Sequence, residues 1–289
     1  MRRQPVRYFH VDVFASRRLA GNGLAVFLGT DGWSDDYMHE LTREMRQFES
    51  IFLDEIDDLG AAARIFTMQE ELPFAGHPVL GAAAVLHLAL VPAAEAARWR
   101  LRLPAREVEV TTQRRNDALL AEMDQGIATI SPPIATAEAG ALLDALGLRP
   151  GDLVDDLPLQ VVSTGLPYLI VPVRGTVLRR AAIRTRDFET QLAAVGARFV
   201  YVLDPAEPEG RTWDNLGDVE DVATGSAAGP TAAYLHHHGR VQSGIPFVLH
   251  QGRFAGRPSE LGLRIDGGRV FVSGEVWPVI TGLMTPAAD

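Results

Sequence analysis

The segment Glu71-Leu72-Pro73-Phe74-Ala75-Gly76-His77-Pro78 leads straight into a small-residue stretch over residues 79–86, and it constrains this chain more than any other feature. It predicts an extended strand, a tight glycine turn and a helix start. Pro78 suits the first helical position, where its missing N–H is no loss. The run Leu80-Gly81-Ala82-Ala83-Ala84 lets that helix lie close to its neighbours. A helix beginning on Gly-His-Pro presents free backbone N–H groups and a partial positive charge, which suits a carboxylate or a developing enolate.

The arrangement occurs twice. Asp221-Val222-Ala223-Thr224-Gly225-Ser226-Ala227-Ala228-Gly229-Pro230 enters a second small-residue helix over residues 231–235, with Gly225 and Ser226 in the places of Gly76 and His77. Two anion-holding helix starts in one chain predict two lobes facing a shared cleft.

A chain of 289 residues suits two domains of ordinary size, and its 47% hydrophobic content is that of a folded protein. The net charge of -10, with arginine pairs scattered along the chain, argues against a nucleic-acid surface. The N-terminal charges have no apolar run behind them, so no signal peptide is expected. No apolar run reaches membrane-spanning length, and a cytoplasmic protein follows as the expectation. With no cysteine, disulfides, thiolate metal sites and thiol nucleophiles are all excluded. Proton chemistry must then use carboxylates, histidines or hydroxyls.

Residues 6–14 alternate as a strand, and Gly21-Asn22-Gly23 predicts a hairpin turn before a second strand over 24–28. Ser34 is placed to cap a helix whose apolar face is Met38, Leu41 and Met45, followed by a strand over 49–53. Residues 101–123 read as loosely structured and strand-rich. A short helix over 137–146 is expected at the join between lobes. Then the pattern restarts: a hairpin over 160–173, a helix over 186–195, a strand over 199–203, and the helix opened by Gly225. Elements recurring in one order indicate an internal duplication. The expected architecture is α+β: two pseudo-symmetric lobes, each a curved, mostly antiparallel sheet or barrel around its own central helix. The lobes are placed at 1–128, completed by 277–289, and at 129–276.

Several segments resemble, in order, the phenazine-biosynthesis PhzF-like isomerases, whose two-lobed fold is that of diaminopimelate epimerase. They are Val11-Asp12-Val13-Phe14 with Gly21-Asn22, Arg43-Glu44-Met45 through Glu49, Arg64-Ile65-Phe66-Thr67, residues 71–78 and residues 220–230. Together they span nearly the whole chain. The resemblance implies that Glu49 is the proton carrier, that His77 and Asp221 are its catalytic companions, and that Ser226 with Gly76 and Gly225 binds substrate. It also implies a homodimer, a small carboxylate-bearing substrate, and no metal or organic cofactor.

The residues suit that chemistry. One carboxylate can remove a proton and return it elsewhere on the same face of a substrate, provided that burial makes it a usable acid as well as a base. Glu49 lies between Phe48 and Ile51-Phe52, which can supply such desolvation. Backbone N–H groups at Gly76-His77 and Gly225-Ser226 would meet the developing charge, while His77 and Asp221 orient polar substrate groups. Each also has an ordinary alternative: Glu49 as a solvated strand residue, His77 and Ser226 as helix caps, Asp221 as a turn residue bonding its own backbone. His236-His237-His238 is not a metal site, because consecutive helical residues point about 100° apart; a helix end near Gly239 accounts for it better.

The match has departures. Arg46 and Phe48 replace the family's usual Asn and Ser, Met68 replaces a proline and Glu70 an asparagine; Gly23 also stands where proline is common, and the Arg211-Thr212-Trp213-Asp214 stretch lacks the usual Phe-x-Pro. These point to an altered substrate preference. The expected function is a proton-shifting isomerase most like trans-2,3-dihydro-3-hydroxyanthranilate isomerase. A related tautomerase or epimerase of another secondary pathway is the close alternative, and a non-catalytic interaction protein on the same fold is the alternative of another class.

Overall fold

The computed structural model of the chain describes residues 5–285. The charged residues 1–4 and residues 286–289, expected above to complete the first lobe, lie outside the described residues. Those up to Asp124 and from Ser273 onward form one compact unit, and Gln125–Val272 form a second.

In the first unit β1 (Val6–Val13) and β2 (Asn22–Leu28) pair antiparallel. Helix α1 (Asp35–Met45) then carries the chain back so that β3 (Glu49–Asp54) lies parallel to β2. Ser34 caps α1, its hydroxyl accepting from the Tyr37 N–H at 3.3 Å. Strand β4 (Gly60–Thr67) is antiparallel to β3, and the two-residue β5 (Glu71–Leu72) folds back on β4. After α2 (Gly76–Leu90), β6 (Ala96–Arg102) is parallel to β4, and β7 (Glu107–Arg115) and β8 (Ala118–Ile127) follow antiparallel. On the other side of β1 lies the C-terminal segment Val276–Met284, also antiparallel.

These strands wrap α2, which packs against β1, β2, β3, β4, β6 and β7. Every residue from Gly76 to His87 is buried, so no face of the helix can be polar. Gly81 shows why the residues must also be small: a Cβ there would run into Leu24 and stand 3.1 Å from Val13.

The second unit repeats this scheme pairing by pairing. It contains β9 (Thr129–Pro133), α3 (Thr136–Ala145), β10 (Gln160–Ser163), β11 (Pro167–Pro172), α4 (Gly175–Leu178), α5 (Phe188–Ala194), β12 (Phe199–Asp204), β13 (Glu209–Trp213), β14 (Glu220–Asp221), α6 (Gly225–His237), β15 (Phe247–Gln251), β16 (Ser259–Asp266) and the first residues of β17 (Arg269–Met284), which from Ser273 onward belongs to the first unit. β9–β10–β11 are antiparallel, β12 is parallel to β11, β13 is antiparallel to β12, and β15 is parallel to β13. The two-residue β14 pairs with β13 just before α6, whose residues Gly225 to Leu235 are all buried.

Two sequence expectations need correction. Residues 101–123 are not loose: they belong to the regular meander β6–β7–β8. Strand β7 alternates exposed Glu107, Glu109 and Thr111 with buried Val108, Val110 and Thr112, and its charged outer face hid a well-formed strand. Asn22 and Gly23 are not the hairpin turn but the first residues of β2, with Asn22 opposite Val13, and the connection is the longer loop 14–21.

Gly60 sits opposite Arg100 where β4 meets β6, and a Cβ there would collide with the Arg100 carbonyl oxygen and lie 2.7 Å from its carbon. Gly60→Ala is therefore expected to lower the free energy of unfolding by about 3 kcal/mol, the upper end of ordinary overpacking costs. Urea denaturation checks this; an unchanged midpoint would mean that the β4–β6 contact yields easily. Among the described residues no helix is long and apolar enough to cross a membrane.

Candidate active site

Glu49 is the first residue of β3, held between Leu24 of β2 and Thr67 of β4, and it is only 6% exposed. Its Oε2 lies 3.4 Å from Nε2 of His77, the second residue of α2. The imidazole is buried as well, and burial pushes its pKa down to about 3. The ring is thus neutral near pH 7. Its contact with Glu49 is that of a neutral imidazole against a carboxyl group rather than a salt bridge. On the opposite ring edge, Nδ2 of Asn22 stands 3.5 Å from His77 Nδ1.

The first helical N–H groups of α2 have no side-chain cap. Ala75, the N-cap residue of α2, has an extended backbone and a methyl group that cannot accept from the first helical N–H groups. Upstream, Arg64 of β4 grips Glu71 of β5 with two parallel bonds of 2.8 and 2.7 Å, which fixes the short strand that aims the helix. The guanidinium of Arg106 lies over the Phe74 ring, 4.5 Å from its centroid.

The second unit has its own version. Arg211 of β13 grips Glu220 of β14 in the same two-bond manner, and Arg211 stacks over Trp213 as Arg64 does over Phe66. Asp221 follows. One of its carboxylate oxygens accepts from the Thr224 hydroxyl and the other from the Ala223 N–H, so the side chain closes the turn into α6. Gln251 clamps that turn: its amide donates to the Asp221 carbonyl at 2.7 Å and to Thr224 Oγ1 at 2.9 Å. Its oxygen accepts from the Thr224 N–H and the Tyr201 hydroxyl. Burial, then the charges of Asp221 and Glu209, keeps Tyr201 protonated well above the ordinary range. At the helix start itself, Ser226 Oγ lies 2.8 Å from the Tyr168 hydroxyl, and Gln125 donates to the Gly225 carbonyl at 2.8 Å.

Of the residues singled out in sequence, Glu49 and His77 meet in the first unit, with Gly76 opening α2 beside His77; in the second, Asp221 closes the turn into α6, which Gly225 and Ser226 begin. The partners that hold them were not singled out. Asn22 looks like a turn residue in sequence, and Tyr168, Gln125 and Gln251 carry no motif; for the two glutamines the detectable signal is a buried amide within a strand. Among the described residues no group of three or more His, Asp or Glu side chains could hold a metal ion. The histidine run ends α6: His238 is its C-cap, bonded through Nε2 to Gln160 at 2.8 Å, and Gly239 adopts φ +69°.

Comparison with known proteins identifies relatives along nearly the whole chain. A family model described as "Phenazine biosynthesis-like protein" matches residues 11–282. The chain is 35% identical over 274 residues to trans-2,3-dihydro-3-hydroxyanthranilate isomerase of Pseudomonas aeruginosa, covering 90% of this chain and 91% of that one. It is 30% identical over 258 residues to the uncharacterized isomerase YddE of Escherichia coli K12, covering 86% of each. Among solved structures it is similar to a Pseudomonas aeruginosa protein described as a "Predicted Epimerase", with 48% identity, a TM-score of 0.93, and coverage of 98% of this chain and 100% of that one.

Proposed function

Because the chain belongs to the phenazine biosynthesis-like (PhzC-PhzF) family and is an isomerase of that family, we propose that it shifts a proton within a small carboxylate-bearing metabolite, with Glu49 as the single acid and base. The observation that carries this reading is the buried contact of Glu49 with a neutral His77 at the open start of α2.

Glu49, as carboxylate, takes a proton from a substrate carbon, and the electron pair of that C–H bond moves into the conjugated system. The charge that develops is met by N–H groups at the helix start, which are fixed before the reaction begins. Glu49, now protonated, returns the proton to a different carbon. Atoms and electrons balance with no redox partner. Asp221 shapes the α6 start, where Gly225 and Ser226 are assigned to substrate binding. No cofactor or metal enters this scheme, and the family resemblance supports a homodimer.

The substrate proposed is trans-2,3-dihydro-3-hydroxyanthranilate, the one named for the 35% identical relative. A second reading, an epimerase or tautomerase of another secondary pathway, draws on the 48% identical structure's description and on Arg46, Phe48, Met68 and Glu70 around the site. Incubation of the purified protein with trans-2,3-dihydro-3-hydroxyanthranilate in deuterated buffer separates the two. Consumption with deuterium entering a carbon position is expected; an intact substrate beside a folded protein would move the assignment to the second reading.

A further inference from the structure

A neutral imidazole has one ring proton, and the nitrogen that carries it decides what His77 offers Glu49. With the proton on Nε2, His77 brings a donor to within 3.4 Å of Glu49 Oε2, longer than a formed hydrogen bond but close enough to favour the carboxylate form. With the proton on Nδ1, Nε2 becomes an acceptor and favours the protonated form. The choice is set on the far edge of the ring, where the Asn22 amide nitrogen, a donor, faces Nδ1 at 3.5 Å. Asn22 and His77 are each only 3% exposed, so neither the ring nor the amide can turn to water for a substitute. Both are also held by regular structure: Asn22 is paired opposite Val13 at the start of β2, and His77 is in the first turn of α2.

We infer that Asn22 is a positioning residue that fixes the tautomer of His77, so that Nε2–H faces Glu49 and readies it as the base. The catalytic part of this inference rests on the role proposed above for Glu49; the tautomer itself does not.

The test uses protein labelled with 15N-histidine, and the His77 ring signals are identified by their loss in His77→Gln. The free wild-type protein is expected to show His77 protonated on Nε2 alone. In Asn22→Asp, a near-isosteric change that replaces the donor by a carboxylate, the proton is expected to move to Nδ1. In Asn22→Leu the preference for Nε2 is expected to disappear. With substrate, both variants should lose about ten-fold in kcat, below the usual 10²–10⁴ of a removed acid or base, while KM stays within about two-fold. Nδ1 protonation in the wild type, or an unchanged tautomer in both variants, would overturn the inference. So would a switched tautomer with unchanged kcat. The spectra need no substrate, so they decide the tautomer even where the substrate assignment fails, and an active Glu49→Gln enzyme would overturn the Glu49 role separately.

Discussion

Glu49→Gln is expected to reduce turnover by about 10³-fold or more while leaving the protein folded. Gln keeps the shape of the side chain and can still meet His77 Nε2 across the 3.4 Å contact, so β3 keeps its place between β2 and β4. What it lacks is a carboxylate that takes up a proton and gives it back. General acid and base catalysis contributes about 10²–10⁴ in rate, and here one group is asked to serve in both directions. A 10³-fold loss is about 4 kcal/mol of transition-state stabilisation. The measurement is single-turnover kinetics beside an unfolding curve. A variant retaining a tenth or more of wild-type turnover would remove Glu49 from the role of proton carrier.

His77 should dominate the response to acid. Its pKa is about 3 in the folded protein, against an ordinary value of 6.5. Above pH 6.5 the ring is neutral in both states and contributes no pH dependence. Between pH 6.5 and 3 the unfolded chain binds a proton that the folded chain refuses, so stability falls by about 1.4 kcal/mol per pH unit, toward about 5 kcal/mol in all. Below pH 3 this group adds no further loss. His77→Asn removes that limb while leaving the other titrating groups, including the buried His87, in place. Urea titrations of both proteins across this range should show the stability difference, wild type minus variant, shrinking steadily as the pH falls. Parallel curves would mean that the His77 ring gains its proton in the folded state.

Much of this architecture was legible because its signals are local. A glycine, a polar residue and a run of small residues can only be a helix start that must sit close to something, and both α2 and α6 begin where those residues stand. The α1 cap at Ser34 is equally local. What was missed depends on partners far away in the chain. Gln125 acts on Gly225, one hundred residues on, and Tyr168 meets Ser226 across 58. The double grip of Arg64 on Glu71 and of Arg211 on Glu220 lay within quoted motifs, yet nothing in either motif alone says that the two side chains meet. Strand β7 failed for a different reason, since glutamates on its solvated face masked the apolar alternation behind them. For Asp221 the sequence left a catalytic and a turn-forming role open, and the carboxylate is found bonded within its own turn. Its proposed part in the reaction is therefore to aim α6.

The way β1 is completed has a consequence for how the chain comes into being. Val6 pairs with Met284 and Val13 with Val276, so one whole edge of the first strand waits for some of the last residues to be made. The second unit, by contrast, is a single uninterrupted stretch, Gln125–Val272. During synthesis, which proceeds from the N-terminus, the second unit has all its residues before the first has its closing strand. Until then β1 offers unpaired N–H and C=O groups to any neighbouring chain. Truncation just before Val276 should accordingly yield a protein prone to aggregate through its first strand, even though the residues removed lie at the opposite end of the sequence.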